Sequence, residues 1–269
     1  DIEKFISDSQ PEEPREEVDA EPQIDRAAEL NEKWQVKPGD LWKLGDHRLI
    51  CGDCTDPAVI MRLMQGEKAD TVFTDPPYNV GRKYTDMTND NKTPEEYAKW
   101  THLWLDAMFN HALSADADVF ITPGVRYMHQ TESVLRAYGS IVWCIAWIKR
   151  NSMMRSPTGF NTWEPILWIK NGEPVGYGNK RYDTLDIPMY LDQSAKGHPT
   201  PKPVKLIEEL FKIKGDSIKN VFDAFNGSGS TMIACENTGR KLFGIEIAPE
   251  YVAVCLQRFK DATGKEPVR

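Results

Sequence analysis

Short runs of β-branched and aromatic residues alternate along the chain with longer stretches whose apolar positions recur every three or four residues. Residues 40–53 read as a β-hairpin turning at Gly45-Asp46, and residues 56–66 as a helix closed by Gly66. Thr71-Val72-Phe73-Thr74 is a buried strand, stopped by Pro76 and Pro77 because proline lacks the N–H that a ladder needs. After a polar loop, 80–92, Thr93-Pro94-Glu95-Glu96 opens a helix with an N-cap, a proline at the first position and a glutamate three residues after the cap. Tyr97, Trp100, Trp104 and Met108 follow at helical spacing as its core face. A strand at 118–122 with a Pro123-Gly124 stop, a return helix at 126–138, and strands at 141–149 and 165–170 come next. Residues 171–195 carry Gly172, Gly176 and Gly178 with few large aliphatics, an irregular insertion. A helix at 203–212, a strand at 220–222, a glycine turn, a helix at 232–238, a strand at 241–247 and a helix at 249–262 complete the pattern. Strand and helix in alternation predict an α/β fold with a largely parallel sheet.

Length agrees with one such domain, since 269 residues at 40% hydrophobic content can bury a single substantial core. No apolar run approaches the ~18–20 residues of a membrane span and no signal peptide opens the chain, so a soluble protein is expected. The chain begins at Asp1 rather than Met, which leads to the expectation that a domain precedes it.

Charge changes the picture once it is located. The formal net charge of −8 is concentrated in residues 1–30, where eleven acids face Lys4, Arg15 and Arg26, and the remainder is neutral. With Pro11, Pro14 and Pro22 among its acids, the segment 1–33 reads as a linker or solvated helical lead-in, residues 34–262 as the folded domain and 263–269 as a tail. Residues 145–205 hold nine basic against five acidic side chains, the pattern of a phosphate-facing surface or of an ordinary solvated face.

The five cysteines are scattered and odd in number, which fits reduced thiols in a cytosolic setting. Cys51-Gly52-Asp53-Cys54 has zinc or redox spacing, but without a second pair no metal site is expected.

Two stretches carry chemistry. Asp75-Pro76-Pro77-Tyr78 ends a strand in a carboxylate, a stiff extended backbone with available carbonyls, and an aromatic face. The same residues describe an ordinary Pro-Pro turn, or a grip for a planar amine, with Asp75 and the Pro76 carbonyl accepting its N–H bonds and Tyr78 stacking. The second stretch, Asp223-Ala224-Phe225-Asn226-Gly227-Ser228-Gly229, is strand, glycine turn and helix start, with Glu246 closing the next strand. That is the logic of a nucleoside-binding βαβ unit. Met232 stands where a dinucleotide fingerprint has its third glycine, and no Gly-Lys-Ser/Thr follows, so a nucleoside without pyrophosphate fits better than a nicotinamide dinucleotide.

Taken in order, and joined by His198-Pro199-Thr200-Pro201-Lys202-Pro203, these motifs resemble the amino-group DNA methyltransferases of the permuted beta class, in which the catalytic motif precedes the cofactor motif. The likeness covers roughly residues 34–260. It implies a Rossmann-like, circularly permuted fold on a mostly parallel seven-stranded sheet, S-adenosyl-L-methionine as cofactor, DNA as partner, frequent homodimers, and a bacterial or phage-encoded cytoplasmic enzyme. By motif position it implies that Asp75, Pro76, Pro77 and Tyr78 grip a flipped base. Asp53, Asp75, Asp223, Phe225, Asn226, Ser228, Gly227, Gly229 and Glu246 then face the cofactor, and His198 and Lys202 lie beside its methionine part. Asp at the first motif position leans to adenine N6, with cytosine N4 the alternative; a silent DNA-binding module is the alternative of another class. The departures, Ala224 for the family's proline and Ser230-Thr231 for its Thr-Thr, are small. In this family sequence selection lies in the segment matching 171–195, and Arg82, Lys83, Arg155, Lys180 and Arg181 are the expected DNA contacts.

Overall fold

The computed structural model describes residues 17–81, 90–152, 155–157, 159–172, 182–189 and 201–269. Its elements in chain order are α1 (Ala27–Trp34), β1 (Leu41–Leu44), β2 (His47–Cys51), α2 (Pro57–Met64), β3 (Ala69–Thr74), α3 (Pro94–His111), β4 (Leu113–Ile121), α4 (Met128–Leu135) and β5 (Ser140–Ile148). A two-residue hairpin, β6 (Arg155–Ser156) and β7 (Gly159–Phe160), precedes β8 (Trp163–Lys170) and β9 (Thr184–Asp186). Then come α5 (Val204–Lys214), β10 (Asn220–Asp223), α6 (Ser230–Asn237), β11 (Lys241–Glu246) and α7 (Pro249–Thr263).

The main sheet runs β1-β2-β11-β10-β3-β4-β8-β5-β9. From β2 to β4 every pairing is parallel, and β8 is antiparallel to both of its neighbours. The sheet thus has nine strands where seven are expected. The extra two are its edges: β1, the outer arm of the Gly45-Asp46 hairpin, and β9, three residues on the far side of β5. β9 lies in the stretch read as irregular, where backbone pairing with β5 outweighs a local sequence without strand pattern.

Side-chain alternation along the strands divides the core in two. Phe73, Phe120, Val221 and Leu242 point to the face covered by α1, α5, α6 and α7, whereas Val72, Val119, Phe222 and Phe243 point to the face covered by α2, α3 and α4. The α3 start is the expected capping box: Thr93 and Glu96 exchange side-chain and backbone bonds.

The acidic lead-in differs from a solvated linker over its described part. Ile24 and Leu30 are buried in the core, and Lys33 and Trp34 bond Gln257 on α7. A strongly acidic composition hides this because two apolar residues suffice to dock so short a segment.

Candidate functional site

The crossover β10-α6-β11 leaves in one direction and β3-α3-β4 in the other, so the chain diverges between β10 and β3. A crevice opens at the carboxyl ends of strands at such a point. Asp223 ends β10, and Asp75 follows β3. Thr74 ties the two strand ends together: its Oγ1 donates to Asp223 Oδ1 at 2.9 Å and accepts from Ala224 N at 3.2 Å. Above this seam lies a cleft of about 1240 Å³, larger than the ~300–1,000 Å³ of a usual single-ligand pocket.

One end of the cleft is built by the glycine turn. Gly227 and Gly229 have φ of +52° and +88°, which L side chains rarely adopt. A Cβ on Gly227 would meet only Phe225 O, at 4.0 Å, so a ligand can approach this backbone, while one on Gly229 would lie 2.6 Å from Cys255 Sγ. Asp223 is a buried anchor for the turn, accepting from Phe225 N at 3.0 Å and Thr231 Oγ1 at 2.6 Å. Burial pushes its carboxyl up to about 6 against those bonds. Glu246 accepts from Gly227 N at 2.9 Å and Ala248 N at 2.8 Å, and burial brings it to about 7. Asn226 turns its amide to Cys255 Sγ, and Ser228 is buried with its carbonyl bonded to Arg258. Asp53 is exposed at the wall of the cleft and holds Thr55 at 2.8 Å. Phe225 packs edge-on against Trp104, their centroids 5.4 Å apart.

These groups suit a nucleoside: an exposed loop backbone, carboxylates for hydroxyl or amine donors, and apolar walls from Ile247, Tyr251 and Trp100.

The other end is built around Asp75. Its Oδ1 accepts from Tyr78 Oη at 2.8 Å and from Thr122 Oγ1, and its Oδ2 from Lys202 Nζ at 2.6 Å. Lys202, expected beside the cofactor, thus sits on the carboxylate and 5.2 Å from the centroid of the Tyr78 ring. Gly124, at φ +66°, lets that ring pack close, since a Cβ there would lie 2.9 Å from its carbons. Burial, with Asp75 and Glu164 nearby, raises the Tyr78 hydroxyl well above its ordinary value, so it stays protonated and donates. The Pro77 carbonyl is taken by Tyr97 Oη at 3.0 Å.

Sequence reasoning counted Lys149 and Glu164 only as charges and missed Thr122 and Arg258. Lys149 is fully buried and paired with Glu164, whose Oε2 also lies 3.2 Å from Tyr78 Oη and 3.9 Å from Lys202 Nζ. Burial would raise Glu164, but the ammonium groups of Lys202 and Lys149 bring it below its ordinary range. The available signal was a charge set at the edge of an apolar strand, Trp163-Glu164-Pro165-Ile166. Arg258, fully buried on α7, bonds Ser228 O, Ser230 Oγ, Ala20 O and Asp19, joining the lead-in to the glycine turn.

His198, Arg82, Lys83, Lys180 and Arg181 lie outside the described residues, and Arg155 is placed by its backbone in β6. Burial takes the Cys51 thiol up to about 12 and Cys54 well above its ordinary value, so neither is a ready thiolate. No group of metal-ligating side chains occurs among the described residues, and no described helix is long and apolar enough to cross a membrane.

The comparisons with known proteins agree with this geometry. The family model described as DNA methylase, of the N6/N4 type, matches residues 69–257. Type II methyltransferase M.HpaI of Haemophilus parainfluenzae is 24% identical over 79% of this chain and 74% of its own length. DNA adenine methyltransferase YhdJ of Escherichia coli K12 is 23% identical over 77% and 82%. Among solved structures, the M1.HpyAVI-SAM complex superposes with a TM-score of 0.57 at 24% identity, covering 78% of this chain and 98% of that one. The cytosine-N4-specific PvuII DNA methyltransferase gives 0.61 at 16% identity, over 80% and 86%. Since the family model spans most of the folded domain, the chain belongs to the N6/N4 DNA methylases and is a DNA methyltransferase that uses S-adenosylmethionine.

Proposed function

We propose that this enzyme methylates the N6 amino group of adenine in DNA, with the base drawn out of the duplex into the Tyr78 end of the cleft. The observation that supports it most is the meeting of Asp75 and the glycine turn on one cleft, from neighbouring strands joined by Thr74 and Asp223. In this reading the chain is the permuted form, catalytic motif first. Asp53 takes the cofactor's adenine, Glu246 its ribose hydroxyls, and Phe225, Gly227 and Gly229 the space around them.

The bound cofactor supplies an electrophilic methyl on sulfonium. The target nitrogen is a poor nucleophile because its lone pair is delocalised into the ring. Asp75 and the Pro76 carbonyl accept its two N–H bonds and turn the lone pair out of the ring plane. The nitrogen becomes acidic as it bonds to carbon, so Asp75 can take the proton or pass it to water. Extruding the base costs a few kcal/mol, of which stacking on Tyr78 returns ~1–3 kcal/mol. Held this way, the reacting atoms gain chiefly by orientation.

The base is the open choice within the family, and the aspartate of the first motif position leans to adenine. The short 171–195 segment goes with a short or degenerate target. Expression in a methylation-free host followed by nucleoside analysis and sequencing tests both. N6-methyladenine in a brief motif is expected; N4-methylcytosine, or a target of more than about five defined bases, refutes the respective statement. Replacing Asp75 by Ala should abolish transfer while cofactor binding persists.

A further inference from the structure

Asp75 is close to saturated before its proposed substrate arrives. A carboxylate offers about four acceptor positions. Tyr78, Thr122 and Lys202 already donate to them, and the amine must be received as well. Two of the three donors have another carboxylate within reach, and it is the same one. Glu164 Oε2 lies 3.2 Å from Tyr78 Oη and 3.9 Å from Lys202 Nζ, while Glu164 Oε1 is held by buried Lys149.

We propose that Glu164 is a positioning residue, the second seat for the Lys202 ammonium and the Tyr78 hydroxyl when the target amine claims Asp75. The inference rests on the reading of Asp75 as the amine's acceptor. Tyr78 has one proton and serves one acid at a time, so the two acceptors are alternatives for it. Lys202 forms a charge-assisted bond that a neutral N–H does not displace unless the ammonium keeps a counter-ion elsewhere. Glu164 is that counter-ion.

The surroundings fit a short swing. Glu164 stands opposite Trp147 in the β5–β8 pairing, and both lysines lie over the Trp147 ring, Lys149 at 5.5 Å and Lys202 at 6.0 Å from its centroid. Lys202 also stands over the Tyr78 ring, so its departure clears the stacking surface. The groups facing it are Asp75 and Tyr78 beyond β3, Glu164 on β8 and Lys149 beyond β5, with Asp223 next on β10. A buried Lys149–Glu164 pair is a poor means of stabilising a fold, because desolvation offsets its attraction. It is a good means of fixing one negative charge in place.

The test is single-turnover methyl transfer by Glu164→Gln, with cofactor affinity measured alongside. Transfer should be roughly a hundredfold slower with cofactor affinity unchanged. Adding Lys202→Met to Glu164→Gln should recover most of the loss, which a structural defect would not allow. Lys149→Met with Glu164→Gln removes the buried pair together, and should show the same defect, again relieved by Lys202→Met, if the single variant fails to fold. Wild-type rates, or a loss unrelieved by Lys202→Met, overturn the inference. Asp75→Ala keeps the two readings apart: if it still transfers methyl groups the catalytic assignment fails, whereas an inert Asp75→Ala beside a wild-type Glu164→Gln fails the second seat alone.

Discussion

Gly229→Ala should damage the enzyme more than an added methyl group suggests, and in two separable parts. Its φ of +88° is left-handed, which costs a residue with a Cβ about 1–2 kcal/mol. The new Cβ would also lie 2.6 Å from Cys255 Sγ and 3.4 Å from Met232 Cε, inside a packed core, where overpacking costs about 1–3 kcal/mol. Together the variant should lose about 2–5 kcal/mol of unfolding free energy, read from urea denaturation at constant slope. Because the same residue closes the turn before α6, calorimetry should show weaker binding of S-adenosylmethionine. Cys255→Ala removes the colliding sulfur but leaves the backbone strain. A double-mutant cycle should therefore return the packing part as a coupling of about 1–3 kcal/mol. A Gly229→Ala protein within about 0.5 kcal/mol of wild type refutes the reasoning. A coupling near zero would show that the strain lies wholly in the backbone.

If Glu246 takes the ribose hydroxyls as proposed, cofactor affinity should fall as pH drops through about 7, because it must be ionised to accept them and its carboxyl sits at about 7. Linkage predicts roughly tenfold weaker binding near pH 6 than near pH 8, and Glu246→Gln should flatten the profile. The same raised carboxyl acts on the cofactor-free fold with the opposite sign, contributing stability at low pH that fades as pH rises through about 7. Glu236 behaves in reverse: its bonds to His47 and Lys265 hold it at about 2, so its contribution is present above its ordinary 4.5 and is lost as pH falls toward 2. The stability gap between wild type and Glu236→Gln should accordingly close on acidification, as followed by denaturant titration. Arg258→Met removes a buried guanidinium from four partners and should destabilise the protein by about 2–3 kcal/mol. It should also weaken cofactor binding, and an unaltered affinity would show that the lead-in has no hold on the glycine turn.

What could be read from the chain was what neighbours in sequence determine. The Pro76-Pro77 stop, the Thr93 capping box and the left-handed glycines are local requirements, and each leaves a residue signature within a few positions. The surroundings of Asp75 are different in kind. Thr122 arrives after β4, Lys149 after β5 and Glu164 through the antiparallel register of β8, none of which a single-sequence pattern specifies. The edge strand β9 and the docking of Ile24 and Leu30 share that cause, being settled by surfaces formed elsewhere. Lys202 is a mixed case: its motif was visible, but only tertiary structure brings its ammonium to Asp75.

The seam between β3 and β10 bears on how the enzyme is made. Thr74 and Asp223 are 149 residues apart, and the two strands meet through the pairs Val221–Thr71 and Phe222–Val72. Contacts of such separation form late, since a long loop must close before they return any energy. A ribosome delivers β3, α3, β4, β5 and β8 well before β10, and until then β3 has an open edge on the side where β10 will pair. The growing chain therefore passes through a stage in which the proposed amine grip has been synthesised and the proposed cofactor turn has not. That interval, in which β3 is open to pairing with another nascent chain, is the one a folding helper would have most reason to cover.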